Sequence, residues 1–341
     1  MQQLVYLGPH CFSWQEALEP DLPSPDAALV RPLAVTTCDL DLALVHGKAP
    51  LAGPFPFGHE FVAEVIRVGE RVRSVARGDR VVVPFEISCG VCTTCRRGRR
   101  ADCEVAARSC YGLGGLLRNA GGALADCVAV PFADAMLMIA PDADVALLAS
   151  ASDNLPDAYR LVGPPLEAEP EAPVLVVGGS EGVGLFAVAL ARALGSTRVV
   201  YADSSRRRSE IAAALGAQIV GGSHHSVEGD YPVTVDASGS AAGLACAIQS
   251  TARGGICSSS GILFDERSPV PMWAMYDRGL TLRTGFAHTR TWLPRVLPMV
   301  ESGALDGAIR MFERVAWQDA AEALADTRRK LVLIRDENAP T

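Results

Sequence analysis

The stretch that decides the architecture reads Val174-Leu175-Val176-Val177-Gly178-Gly179-Ser180-Glu181-Gly182-Val183-Gly184. Its first four residues continue Ala172-Pro173 as a short, wholly apolar, β-branched run, which suits a parallel strand buried on both faces. A glycine-rich turn follows, and then an Ala/Leu-rich segment, Val183 to Leu194, that predicts a helix. In that context glycines let the backbone turn tightly and approach a pyrophosphate. The helix N-terminus then offers unpaired N–H groups and a positive dipole end. Gly178, Gly179, Ser180, Gly182, Val183 and Gly184 are therefore candidate cofactor-binding residues. Glu181 is the oddity, because a carboxylate beside a pyrophosphate is unfavourable. Its side chain is expected to point away, into solvent.

Downstream, Arg198–Asp203 predicts a second strand and Ser205–Gly216 a second helix. Gln218-Ile219-Val220 reads as a third strand, and Pro232–Asp236 begins another, followed by a helical Ala/Gly/Leu segment. Strands alternating with helices predict a doubly wound parallel sheet of the Rossmann type. Asp203 ends the second strand, where a carboxylate can accept hydrogen bonds from ribose hydroxyls and would repel a 2′-phosphate. That favours NAD over NADP. The run Arg206-Arg207-Arg208 pulls the other way, since an arginine there, such as Arg208, can hold a 2′-phosphate.

Upstream, the pattern differs. Gly163–Glu171 reads as a polar, Pro-rich connector. Before it, short β-like runs such as Phe61–Val68 and Asp79–Pro84 are separated by Gly and Pro, which predicts a β-rich, barrel-like domain. Helical segments resume after about Ala287, and Lys330–Ile334 reads as a final apolar strand.

Within the β-rich part, Cys89, Cys92, Cys95 and Cys103 form C-x₂-C-x₂-C-x₇-C. Four thiolates so close in sequence can close around one tetrahedral Zn²⁺ at about 2.3 Å. Four protein ligands leave no open position, so this zinc is expected to be structural. The basic run Arg96–Arg100 lies inside the same lobe and reads as a solvated loop that offsets thiolate charge.

The chain has 341 residues, 49% apolar and 21% charged, with a net charge of −8. It is long enough for two globular domains with full cores. The acidic balance argues against a nucleic-acid partner. No run approaches the roughly 18 apolar residues of a membrane span. The N-terminal residues lack the pattern of a secretion signal, and ten cysteines with a metal-like cluster suit a reducing, cytoplasmic setting.

Two further motifs precede the cysteine lobe: Thr37-Cys38-Asp39-Leu40-Asp41 and Phe57-Gly58-His59-Glu60-Phe61. With the lobe and the nucleotide loop, in that order, the chain resembles the zinc-dependent medium-chain alcohol dehydrogenases. The resemblance covers essentially the whole sequence. It implies a GroES-like catalytic domain at 1–153 and 287–341, with the zinc lobe near 86–105. It also implies an NAD-binding Rossmann domain at 154–286. Cys38 and His59 would be ligands of a second, catalytic zinc, with Glu60 beside the metal as a fourth ligand in exchange. The third ligand comes from the segment entering the cofactor domain. This segment has no cysteine and looks like the branch that uses aspartate, so the ligand is assigned to Asp153, ahead of Asp157. Two zinc ions per chain, a small-molecule substrate and a homodimer or homotetramer follow from the same resemblance.

Where many relatives carry Ser or Thr to start a proton relay, this chain has Leu40, so another route is needed, with His46 or Asp39 as candidates. Residues placed near the metal motifs, Leu40, Phe57, Tyr111 and Trp273 or Met275, suggest a mostly apolar pocket. The expected reaction is hydride transfer between a nicotinamide and an uncharged, small to medium alcohol or its aldehyde or ketone. The competing readings are a reductase of activated double bonds or quinones, and a zinc-ribbon binding protein.

Overall fold

The computed structural model describes residues 1–114, 117–222 and 225–336. The chain divides into two compact units. The first comprises Met1–Pro156, His288–Gly303 and Phe312–Thr341, and the second Asp157–Ala287 with Ala304–Met311.

The first unit is built on a seven-stranded sheet. Its path runs Met138–Ile139, Arg80–Val83, Glu60–Val68, Ala28–Thr36, Leu331–Ile334 and Glu313–Ala316, and Val128–Val130 also pairs with Ala28–Thr36. A three-stranded sheet of Cys11–Glu16, Gln2–Gly8 and Phe55–Pro56 lies beside it in the same unit. The register of the central antiparallel pair sets Thr36 opposite Glu60. Leu331–Ile334 pairs on the other side, so Val332 also lies opposite Thr36. Side chains from three distant parts of the sequence thus meet at one end of the sheet.

The second unit is a six-stranded parallel sheet ordered Gln218–Gly221, Val199–Asp203, Val174–Val177, Tyr231–Asp236, Thr251–Ser259 and Thr281–Arg283. Numbered along the chain this is 3-2-1-4-5-6, the doubly wound order. It reverses direction at Val174–Val177 and so opens a crevice at the carboxyl ends of the strands. All four residues of Val174–Val177 are buried, as the uninterrupted apolar run requires. Helix Val183–Ala193 is buried over most of its length, which explains its Ala/Leu composition.

One expectation fails. The Pro-rich segment at 163–171 is not a connector throughout, because helix Asn154–Ala168 runs through Pro164 and Pro165. Proline costs a helix a hydrogen bond but its φ is helical. Leu155, Ala158, Tyr159, Leu161, Val162 and Leu166 on this helix are all buried, and that burial outweighs the lost bonds. Among the described residues, no helix is long and apolar enough to cross a membrane.

Candidate active site and metal centres

Cys38 caps the seven-residue helix Asp39–Val45. Its Sγ accepts the Leu40 N–H at 3.2 Å, while the Asp41 carboxylate reaches back to accept the Cys38 N–H at 2.8 Å. This reciprocal capping box fixes both side chains. Gly58, at φ +92°, turns the chain into strand Glu60–Val68 where a Cβ would crowd Leu124 and Val35, and so delivers His59 to the same place.

The donor atoms of Cys38, Asp41 and His59 lie within 4.8 Å of one another, and all three residues are buried. Asp41 Oδ1 lies 3.7 Å from His59 Nδ1, on one edge of the ring. Asp153 Oδ2 lies 3.4 Å from Nε2, on the other, with its side chain 14% exposed. Neither His59 nitrogen makes a hydrogen bond, and Asp41 Oδ1 makes none. Burial disfavours an imidazolium at His59, but Asp41, Asp153 and Glu60 outweigh it and lift its pKa to about 9. Burial, with the charges of Asp41, Asp153 and Glu60, pushes the Cys38 thiol far up. A divalent cation fits this cluster, because it would offset the crowded negative charge and use the orphaned donors.

Glu60 is turned to other work. Its Oε2 takes Lys330 Nζ at 2.7 Å and the Thr36 hydroxyl, and its Oε1 takes the Asn154 N–H at 2.8 Å. Lys330 also donates to Asn154 Oδ1 at 3.0 Å and to the Thr37 carbonyl. Asn154 Nδ2 in turn donates to Asp153 Oδ2 at 3.1 Å. A buried network therefore runs from Lys330 through Asn154 to Asp153.

His46 is not brought to this cluster. It caps the far end of helix Asp39–Val45, about 12 Å of helix away from Cys38 at a rise of 1.5 Å per residue. Its Nε2 contacts the Thr327 carbonyl at 3.0 Å and its ring packs on His10. Leu40 is buried beside Cys38. Phe57 packs on Phe12 and Tyr6, and Tyr111 packs on Phe61 with its hydroxyl on the Ala129 carbonyl at 2.9 Å. The aromatic ring that faces His59 is Phe85, 5.8 Å between centroids, which the sequence did not single out. Asp41, Thr36, Asn154 and Lys330 were also missed. For Asp41 a signal existed, its position three residues after a capping Cys38.

Cys89, Cys92, Cys95 and Cys103 come together with all sulfurs within 4.8 Å. Cys92 and Cys103 sulfurs are 3.9 Å apart, close to the edge of about 3.8 Å for a tetrahedron with 2.3 Å Zn–S bonds. None of the four is in a disulfide. Backbone N–H groups of Cys92 and Ala106 point at Cys89 and Cys103 sulfurs at 3.4 Å, as zinc-bound thiolates require. The Thr94 hydroxyl, aided by the Cys95 N–H, pulls the Cys92 thiol down to about 5. The lobe's apolar cluster is little more than these cysteines with Ala106 and Phe132. Thr291 and His288 bind its backbone at Gly98 and Ala101.

In the second unit, a Cβ on Gly178 would overlap the Tyr201 hydroxyl, and one on Gly184 would press on Ala237 at 3.2 Å. The two glycines thus permit close packing of loop and helix on the sheet. Ser180 Oγ accepts the Gly184 N–H at 3.4 Å, while Gly182 caps helix Val183–Ala193. Asp203 does not cap the next helix, a role taken by Ser205. Its carboxylate instead accepts the Tyr201 hydroxyl at 2.7 Å, the Ser205 N–H at 2.7 Å and two bonds from Arg208 at 2.7 and 2.9 Å. Burial works against its charge, but these donors hold its pKa below the usual value. Glu181 contradicts expectation. It is only 6% exposed and pairs with Arg207 and, at 3.4 Å, with Arg208. Two guanidiniums supply what solvent was expected to supply.

Residues 24–142 match the alcohol dehydrogenase GroES-like domain, and residues 182–302 match the zinc-binding dehydrogenase domain. The chain belongs to the zinc-containing medium-chain alcohol dehydrogenase family. It is 32% identical over 300 residues to a protein of Mycobacterium tuberculosis named as a probable zinc-binding alcohol dehydrogenase, covering 84% of this chain and 75% of that one. The structure of alcohol dehydrogenase TADH from Thermus sp. ATN1 superposes with a TM-score of 0.87 at 29% identity, over 98% of this chain and 100% of that one. Acetophenone reductase from Geotrichum candidum NBRC 4597, solved in complex with NAD, shares the fold at 20% identity and a TM-score of 0.83, over 99% and 98% of the two chains. This medium-chain dehydrogenase is thus an oxidoreductase of the zinc alcohol dehydrogenase type, with a four-cysteine cluster and a second Cys/Asp/His cluster.

Proposed function

We propose that the protein interconverts an uncharged, small to medium alcohol and its aldehyde or ketone, using NAD(H). The observation that supports this reading is that the donor atoms of Cys38, Asp41 and His59 lie within 4.8 Å of one another, with Asp153 Oδ2 3.4 Å from His59 Nε2 and both His59 nitrogens unbonded. Cys38 Sγ, His59 Nε2 and an Asp153 oxygen would hold the catalytic zinc. Three protein ligands leave an open position. Asp41 Oδ1, 3.7 Å from Nδ1, is the carboxylate that would take the Nδ1 proton and orient the ring, as carboxylates do behind metal-bound histidines. When bound, zinc supplies Lewis acidity toward a substrate oxygen, and the nicotinamide supplies the hydride acceptor or donor.

The remaining work falls to the chain's own residues. Glu60, Lys330 and Asn154 fix Asp153 from behind. Phe85 and Leu40 present apolar surface around the donors. Lys330 is committed to Glu60, Asn154 and Thr37, so it does not anchor a charged substrate. Asp203 favours an unphosphorylated ribose. Leu40 carries no proton and His46 faces Thr327, so of the two relay candidates Asp39 remains, partly buried in the first turn of helix Asp39–Val45.

The test is zinc per chain by mass spectrometry on protein purified without chelators or added metal, followed by NADH formation with a panel of alcohols. Two zincs and turnover of uncharged alcohols are expected. One zinc per chain and no turnover would overturn the proposal.

A further inference from the structure

Glu181 stands in the nucleotide loop where glycine would be expected between Gly179 and Gly184. Its side chain leaves the loop after strand Val174–Val177 and meets the first turn of helix Arg206–Ala214, which follows strand Val199–Asp203. These two strands are neighbours, with Val177 opposite Ala202. The ground above their carboxyl ends is where a doubly wound fold seats the adenosine ribose. Four charged groups occupy it: Glu181, Asp203, Arg207 and Arg208. They pair with one another. Arg208 is forked onto Asp203 and touches Glu181, while Arg207 is held by Glu181 with a second bond to the Met311 carbonyl at 3.3 Å.

We propose that Glu181 is a cofactor-discriminating residue, which holds Arg207 and so withholds from a 2′-phosphate the cation that would otherwise recognise it. This rests on the reading of the loop as a nicotinamide-dinucleotide site. A 2′-phosphate brings about two negative charges. It would meet the carboxylates of Asp203 and Glu181 and two arginines already neutralised. An unphosphorylated ribose meets no such penalty. Asp203 is thus only half of the device. Three consecutive arginines do not make the site NADP-selective, because an acid 26 residues earlier binds the second of them.

The experiment compares ADP-ribose with 2′-phospho-ADP-ribose by titration calorimetry, without substrate or turnover. In Glu181→Gln, affinity for the 2′-phosphorylated compound should rise about tenfold or more, the scale of one charge-assisted contact. ADP-ribose affinity should change by less than about threefold on the same scale. Adding Arg207→Gln to that variant should abolish the gain. A second measurement does not depend on that variant folding. Glu181→Ala, which frees Arg207 equally, should show the same selective gain. Binding with an unaltered ratio in either Glu181→Gln or Glu181→Ala, or a gain that survives the added Arg207→Gln, overturns the inference by itself. No binding of either nucleotide to the parent protein or the variants overturns the cofactor reading beneath it as well.

Discussion

Lys330 and Glu60 form an ion pair of 2.7 Å in which neither side chain is more than 2% exposed. Burial works against the charge on Lys330, yet Glu60 beside it keeps its pKa raised. The pair is joined to Asp153 through Asn154, so it supports the candidate metal site. Lys330→Met should destabilise the first unit by about 3–5 kcal/mol, the cost of leaving a buried charge unpaired. Combining it with Glu60→Gln should recover part of that loss. Denaturant unfolding followed by a probe in the first unit checks both.

Asp41 and Asp153 flank opposite nitrogens of His59, and the proposed roles separate them. Asp153→Asn should remove one zinc per chain and abolish turnover. Asp41→Asn should keep that zinc but weaken its binding by about 10- to 100-fold, the usual effect of losing a partner behind a metal ligand. Metal content after dialysis against graded chelator distinguishes them. Loss of zinc in Asp41→Asn with retention in Asp153→Asn would exchange their roles.

Cys103→Ser should cost the other zinc. The lobe has almost no apolar core apart from its cysteines, so metal binding is its main source of stability. The variant is expected to expose 86–105 to proteolysis while the zinc at Cys38 and His59 remains. Limited digestion with metal analysis of the surviving core is the measurement.

Glu86 is fully buried, and burial pushes its carboxyl from 4.5 up to about 8, although the Arg290 N–H donates to it at 3.2 Å. A group that binds its proton more tightly when folded gives stability that is complete below its unfolded pKa. That stability is lost as pH rises through the folded value. Melting temperature should therefore fall between about pH 4.5 and pH 8 on this account, and Glu86→Gln should flatten that slope. A matched series of thermal scans over this range suffices, and equal slopes would remove Glu86 from the explanation.

What could be read in advance was what is local in sequence. The four-cysteine lobe spans 15 residues, and the nucleotide loop follows its strand without a break. The strand-helix alternation announced the parallel sheet for the same reason. Asp41 was overlooked because an aspartate in a first helical turn is ordinary; its meaning comes from His59, placed by another strand. Lys330 was illegible, since its partner Glu60 is 270 residues away. Glu181 reads in sequence only against a pyrophosphate, because its arginine partners lie 26 and 27 residues further on and suit a 2′-phosphate equally well.

The pairing of Leu331–Ile334 with Ala28–Thr36 has a consequence for how the protein is made. Leu331 bonds to Thr37 across 294 residues. Until the ribosome has translated that far, the Ala34–Thr36 end of strand Ala28–Thr36 lacks a neighbour on one side, and Glu60 lacks its lysine. The parallel-sheet unit, whose long stretch Asp157–Ala287 is continuous, emerges earlier and can begin folding first. At 5–20 residues per second, the unfinished sheet waits on the order of ten seconds or more with an unpaired edge. Expression under conditions that slow elongation should therefore lower the soluble yield through the half-built first unit, whatever the stability of the finished protein.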